Sequence, residues 1–277
     1  METSLESLEL ICKQFEVNTT EFRLKSLNNL IKNLNQTQAN ELVVAIAPMI
    51  DEVVAQRDYG SASLIARKML KAAKKSSRQN AYAEFDQQLK LFKTLEKEFR
   101  KIQPSLEKLE QDQRNPDANL VVGKFYCFNA NDFETGLSFL SRSSDAKLKE
   151  IAELEKEHSR TQTEATQTKA GDLGARIADF WWDYSEELDA RGSKNVRQRA
   201  GAIYRAQLDA KNITGISKAR AEKRLRELAE DEKFSITKYQ WVARWVGEDV
   251  VWDPIIFSED GRWKMENRKL YGLEYHR

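Results

Sequence analysis

Two adjacent tryptophans and a long basic run are the residues whose types and spacing come nearest to binding chemistry. Trp181 and Trp182 stand side by side in IADFWWDYSEE. Paired aromatics offer flat faces of the kind that stack on a sugar, but neighbours on a helix point about 100° apart. Trp181 is therefore expected in the core. Trp182 is expected either at a binding face or packed on an adjacent helix or the C-terminal segment. Residues 191 to 226 then hold 11 Lys or Arg against two acids, Asp209 and Glu222. A phosphate-binding stripe would draw on Arg197, Arg199, Arg205, Lys218, Arg220, Lys223 and Arg224. The competing expectation is a solvated face with salt bridges to Asp183, Glu186, Glu187 and Asp189, which precede it. Trp182 and those cations form the candidate interaction surface.

Catalysis needs activated groups, and the near-neutral titrating side chains are His158 and His276, each in a polar segment. No nucleophile elbow, HExxH, CxxC or P-loop pattern occurs. Gly171-Asp172-Leu173-Gly174 is a weak glycine motif beside a helix start and reads as a loop. Cys12 and Cys127 lie far apart, each in an apolar helical pattern, and read as buried thiols. A metal site from these cysteines with His158 and His276 would need four distant segments to converge. The expectation is no catalytic site, no cofactor and no metal, hence not an enzyme.

The elements that must position the aromatics and cations are helices. Gly and Pro are few, at 11 and 4 in 277 residues, while Ala, Leu, Glu, Lys, Arg and Gln dominate. The net charge of +1 favours neither nucleic acid nor membrane over the whole chain. METSLESLELICKQFEV has no basic leader or long apolar region, and no membrane-length apolar run follows. The chain is accordingly expected off the membrane and, by default, in the cytoplasm.

In chain order, helices are predicted over 4–17 and from Thr20 to Leu34, then one opening at Thr37 that kinks or breaks near Pro48. Arg57-Asp58-Tyr59-Gly60 is a turn before a helix running to about Lys75. Residues 79–113 form a long helix with a narrow stripe from Phe85 to Leu109, bent at Pro104, and Asn115-Pro116-Asp117 starts the next. LVVGKFYCFNANDFETGLSFL, residues 120–140, reads as two helices around a tight turn at Asp132-Phe133. Gly123 is expected at the close crossing, where a Cβ would press on Phe133 and Leu137. Asp58-Tyr59, Ala62 and Ala66 repeat Asp132-Phe133, Gly136 and Leu140 at an offset of about 74 residues. A helix over 146–158 leads to a Thr/Gln-rich loop at 159–169 and a helix from Asp172 closed by Ala190-Arg191-Gly192-Ser193. A partner helix with Val196, Ala200 and Tyr204 and a basic helix over 217–229 follow. From Phe234 the pattern turns β-like at 250–252, 255–257 and 262–265, with a hairpin turn at 258–261.

Residues 50–229 resemble the tetratricopeptide-like helical domain of large multidomain planctomycete proteins. The likeness rests on NPDANLVVGKFYCFNANDFETGLSFLSRSSDAKLKEIAELE, IADFWWDYSEE and RAGAIYRAQLDAKNITGISKARAEKRL. The chain departs from the pattern at Asn131 and Ala178, where Gly is usual. The resemblance implies a mostly α, antiparallel helical-hairpin solenoid, read here with a small C-terminal β segment. Its divisions are capping helices over 1–35, the repeat domain over 36–231 and a β-containing tail over 232–277. It implies a non-catalytic scaffold for a protein or peptide partner of unknown identity, with no cofactor. A second reading is an accessory region of a bacterial multidomain enzyme or carbohydrate-binding protein whose active β domain follows residue 277. A third is nucleic-acid or anionic-ligand binding through 191–226, against which the thin aromatic interleaving counts.

Overall fold

The computed structural model describes the backbone of residues 19–78, 80–161, 167–236, 239–246, 249–257 and 263–265, with side chains over 24–78, 80–159 and 173–230. The helix expected at 4–17, the turn at 258–261, Cys12 and His276 lie outside the described residues. The described chain is mostly helical and divides into two units, 1–150 and 151–277. The division falls inside the span expected to be one repeat domain.

In the first unit, α1 (Thr19–Lys32), α2 (Gln36–Ala45) and α3 (Ala47–Ala55) precede α4 (Tyr59–Lys75). Asn35 opens α2 through a reciprocal capping box: its side chain accepts from the Gln38 amide at 2.9 Å, and the Gln38 side chain accepts from the Asn35 amide at 3.1 Å. The cap lies upstream of Thr37, where the helix was expected to open. Ile46 separates α2 from α3, so the expected break is realised just ahead of Pro48. That residue sits in the first turn of α3, where a missing N–H leaves no helical bond unmade.

The long α5 (Ala81–Gln111) runs unbroken through Pro104. Proline in a helix interior costs about 3 kcal/mol, and the buried stripe of Phe85, Leu89, Phe92, Leu95, Ile102 and Leu109 outweighs it. The hairpin follows: α6 (Pro116–Lys124), one π turn over Phe125–Asn129, and α7 (Phe133–Leu140). A chain of ring contacts joins α4, α5 and this hairpin, with Tyr59 to Phe99 at 5.5 Å, Phe99 to Phe125 at 5.5 Å and Phe125 to Tyr126 at 5.4 Å.

The junctions before α4 and α7 have one design. Arg57 (φ 63°) and Asn131 (φ 57°) take the left-handed conformation that ends the incoming helix. Asn131 tolerates it where glycine is usual, because a short polar side chain is the next best occupant of that region. Asp58 and Asp132 then cap the outgoing helices, accepting from Ser61 N at 2.9 Å and Thr135 N at 3.0 Å. Tyr59 and Phe133 follow and are buried. The offset of 74 residues read from the sequence is thus a repeated junction. The two junctions are also tied together: the Arg57 guanidinium donates to Asp132 Oδ2 at 2.7 Å and to Thr135 Oγ1 at 3.3 Å, and lies 4.9 Å over the Tyr126 ring.

Gly123 does sit at a close crossing, but with a different partner from the one expected. A Cβ there would lie 2.7 Å from Leu140 Cδ2 and 3.0 Å from its backbone N, not against Phe133 or Leu137. The π turn adds a residue between Gly123 and the junction, which rotates the contact to the far end of α7.

The second unit holds α9 (Gln167–Tyr184), a 3-10 turn at Ser185–Glu187, α10 (Ala190–Asp209) and α11 (Gly215–Ile236). The division between the units falls within α8 (Ala146–Thr161). The stretch expected as a loop at 159–169 is helical at both ends. Residues 190–193 open α10 instead of closing α9, because Asp189 caps them by accepting from Gly192 N at 2.8 Å. The helix α11 runs seven residues beyond the expected 229, past Phe234, where a β pattern was read. Strands β1 (Tyr239–Val246), β2 (Asp249–Phe257) and β3 (Trp263–Met265) pair antiparallel in that order, with Trp241 opposite Pro254 and Ile255 opposite Met265. As β3 reaches only Ile255–Phe257, the described sheet leaves β2 an open edge at Pro254, the place where a strand tolerates a residue without N–H.

Candidate functional site

Four helices of the second unit bring together five of the eight residues singled out for binding, Trp182, Arg197, Arg199, Arg220 and Arg224. On α9, Asp179, Trp182 and Asp183 are three and four residues apart and share a face, while Trp181 points to the interior. Both tryptophans are buried, at 0% and 6% exposure, because α9 is covered on two sides. Trp181 Nε1 donates to Glu155 Oε2 of α8 at 2.6 Å. The same buried carboxylate takes the Arg199 guanidinium of α10, with Nε 2.6 Å from Oε1.

Trp182 packs between two guanidinium groups, Arg197 of α10 at 5.2 Å and Arg224 of α11 at 5.5 Å from its ring centre. Arg197 Nε also donates to Ser185 Oγ at 3.0 Å, and that hydroxyl donates to the Trp182 carbonyl at 2.6 Å. Asp179 is the hub. Its Oδ1 accepts from Tyr204 OH at 2.5 Å and from Arg224 Nη1 at 2.6 Å, and its Oδ2 accepts from Arg220 Nη1 at 2.5 Å. Arg224 Nη2 reaches Asp183 at 2.6 Å. Burial and the bond to Asp179 push the Tyr204 phenol far above its ordinary pKa, so it remains a neutral donor.

The remaining cations lie outside this network. Lys218 is 3.8 Å from Glu222 and Lys223 is 3.6 Å from Glu227, exposed pairs one turn apart on α11, and such pairs contribute little. Arg205 is exposed on α10. The sequence singled out the basic partners but missed Glu155, Asp179 and Tyr204, which organise them. An acid at 179, one turn before Asp183, was the available signal.

Below the network lies a second buried polar pair. His158 Nε2 is 3.2 Å from Gln207 Nε2, and Gln207 fills the space left by Gly174, where a Cβ would meet its side chain at 2.6 Å. His158 is buried, not exposed as the polar sequence around it suggested. Burial lowers its pKa below the ordinary value, opposed by the nearby Glu155 carboxylate. The folded imidazole is thus neutral, and unfolding lets it take up a proton. Its contribution is present above the unfolded pKa of about 6.5 and is lost as pH falls through the lower folded value. Urea midpoints should fall from pH 7 to pH 5, and His158→Gln should flatten that slope. An unchanged slope would show that the imidazole does not report folding.

Among the described residues, no group of three or more His, Cys, Asp or Glu is placed to hold a metal ion. No described helix is long and apolar enough to cross a membrane. Comparison with protein-family models, with curated proteins and with solved structures finds no match for this chain.

Proposed function

We propose that the chain is a tetratricopeptide-like scaffold of antiparallel helical hairpins that recognises a protein segment or peptide. The observation that carries this reading is the repeated junction at 57–59 and 131–133, with its left-handed residue, aspartate cap and buried aromatic, bridged by Arg57. A chain that reuses one hairpin junction and ties the copies together presents helix faces at fixed spacing, which suits binding of an extended or helical segment. Val44, Leu64, Tyr82 and Val121 are large apolar side chains left exposed on these helices, apolar area that a bound segment would remove from water. The engaged arginines around Trp182 serve the interior of the second unit in this reading.

Panning the full chain against displayed random peptides tests the proposal. Peptides that bind saturably by calorimetry, and more weakly when Leu64 or Val121 is changed to Asp, are the expected result. Failure to select any saturable binder with a chain that remains helical by circular dichroism would refute it.

A further inference from the structure

We propose that the cleft between α1 and α4 binds a small anion carrying two or more phosphate groups. The cleft encloses about 290 Å3 and is lined by Asn28, Ile31 and Lys32 of α1 and by Lys68, Lys71 and Lys75 of α4. Lys68, Lys71 and Lys75 are spaced at i, i+3 and i+7, so they share one face of α4, and Asn28 and Lys32 are one turn apart on α1. Residues 24–33 and 61–75 together carry seven Lys or Arg and no Asp or Glu. The concentration of like charge is held by apolar packing: Leu27 and Ile31 of α1 and Ile65, Met69 and Ala72 of α4 are all buried in one core cluster.

The lysines divide into two roles. Lys75 Nζ donates to the carbonyls of Ile31, Lys32 and Leu34 at 3.2–3.4 Å. It thereby offsets the negative end of α1, which would otherwise repel an anion. Lys68 donates to Asn28 Oδ1 at 2.5 Å, which holds its ammonium group in the cleft, and Lys32 and Lys71 are exposed beside it. Burial, and after it the charge of Lys71, lowers the pKa of Lys68, and a bound anion would favour its charged form. No aromatic side chain lines the cleft, so nothing there stacks a base, and the site is concave and not a stripe along a helix. Those features favour a compact phosphate ligand over a nucleic-acid strand.

Calorimetry of the full chain with inorganic pyrophosphate at low ionic strength is the test. Saturable one-to-one binding that weakens with added salt is expected. Lys71→Gln, at an exposed site where folding is not at stake, and Lys68→Gln should each weaken it on the order of tenfold, the worth of a hydrogen bond to a charged group. Arg205→Gln, in the other unit, should leave it unchanged. Absence of binding at low salt, or wild-type affinity in both Lys71→Gln and Lys68→Gln, overturns the site. So does displacement of pyrophosphate by a single-stranded oligonucleotide whose affinity grows with length, which would mark a nucleic-acid surface instead.

Discussion

Replacing Glu155 with Ala is expected to destabilise the protein by about 1.5–3 kcal/mol, the range for hydrogen bonds to a charged group, because Arg199 is one-third exposed and keeps contact with water. The carboxylate is 2% exposed and accepts from both the Trp181 indole and the Arg199 guanidinium. Its loss takes an acceptor from the partly exposed Arg199 guanidinium and from the buried Trp181 indole N–H, and a buried donor deprived of its acceptor carries a desolvation penalty. A shape-preserving change isolates the charge. Glu155→Gln keeps an acceptor for Trp181 but loses the ionic partner of Arg199, so it should fall between wild type and Glu155→Ala. Changing Arg199 to Met together with Glu155 to Leu should recover part of the loss, because it removes the stranded cation while the Trp181 indole still lacks its Glu155 acceptor. Urea denaturation of the full chain followed by circular dichroism gives all three values. A Glu155→Ala change below about 1 kcal/mol would place the pair energetically with exposed salt bridges.

Gly136→Ala is expected to destabilise by about 1–3 kcal/mol through overpacking, although alanine is the better helix former by about 1 kcal/mol. The added Cβ would clash with Cys127 Sγ and lie 2.9 Å from the Cys127 backbone N and 3.2 Å from the Gly123 carbonyl. A thiol at the end of a flexible side chain could swing away, but Cys127 is fully buried, and two of the three contacts are backbone of the facing helix. Overpacking therefore exceeds the propensity gain. Gly60 supplies the control. It occupies the first turn of α4, fourteen residues before Lys74, and a Cβ there meets nothing closer than 3.5 Å. Gly60→Ala should stabilise by about 0.4–1 kcal/mol. If both substitutions stabilised, the close approach of α6 and α7 would not be rigid.

Much of the local structure was legible along the chain. Asp58, Asn115 and Asp132 cap the helices they were read to open, the repeat between 58 and 132 was visible as aligned residue types, and Gly123 was placed at a helix crossing. These signals are local: a cap, a turn and an apolar period act within a few residues, so their physics is carried by short stretches of sequence. The errors at element ends have the same origin. The helix before Ser193 ends earlier than its sequence pattern suggests because Asp189 caps α10, and the basic helix continues past 229 to Ile236.

What lay beyond the sequence is the pairing of side chains on different helices. The cations at 197, 199, 220 and 224 were conspicuous, but whether they face solvent or an acid depends on how α8, α9, α10 and α11 pack. Glu155 and Arg199 are 44 residues apart, and Asp179 and Arg224 are 45 apart. Trp182 likewise meets guanidinium groups from two separate helices. The lysine cleft was hidden for the converse reason. Lys32 and Lys71 look like ordinary solvated residues on their own helices, and only the docking of α1 on α4 puts them around one cavity. Residue types and periodicity determined the helices and their turns, because those energies are local; tertiary packing alone decided which charges are neutralised and which remain available to a ligand, because Coulomb interactions depend on distance in space, not along the chain.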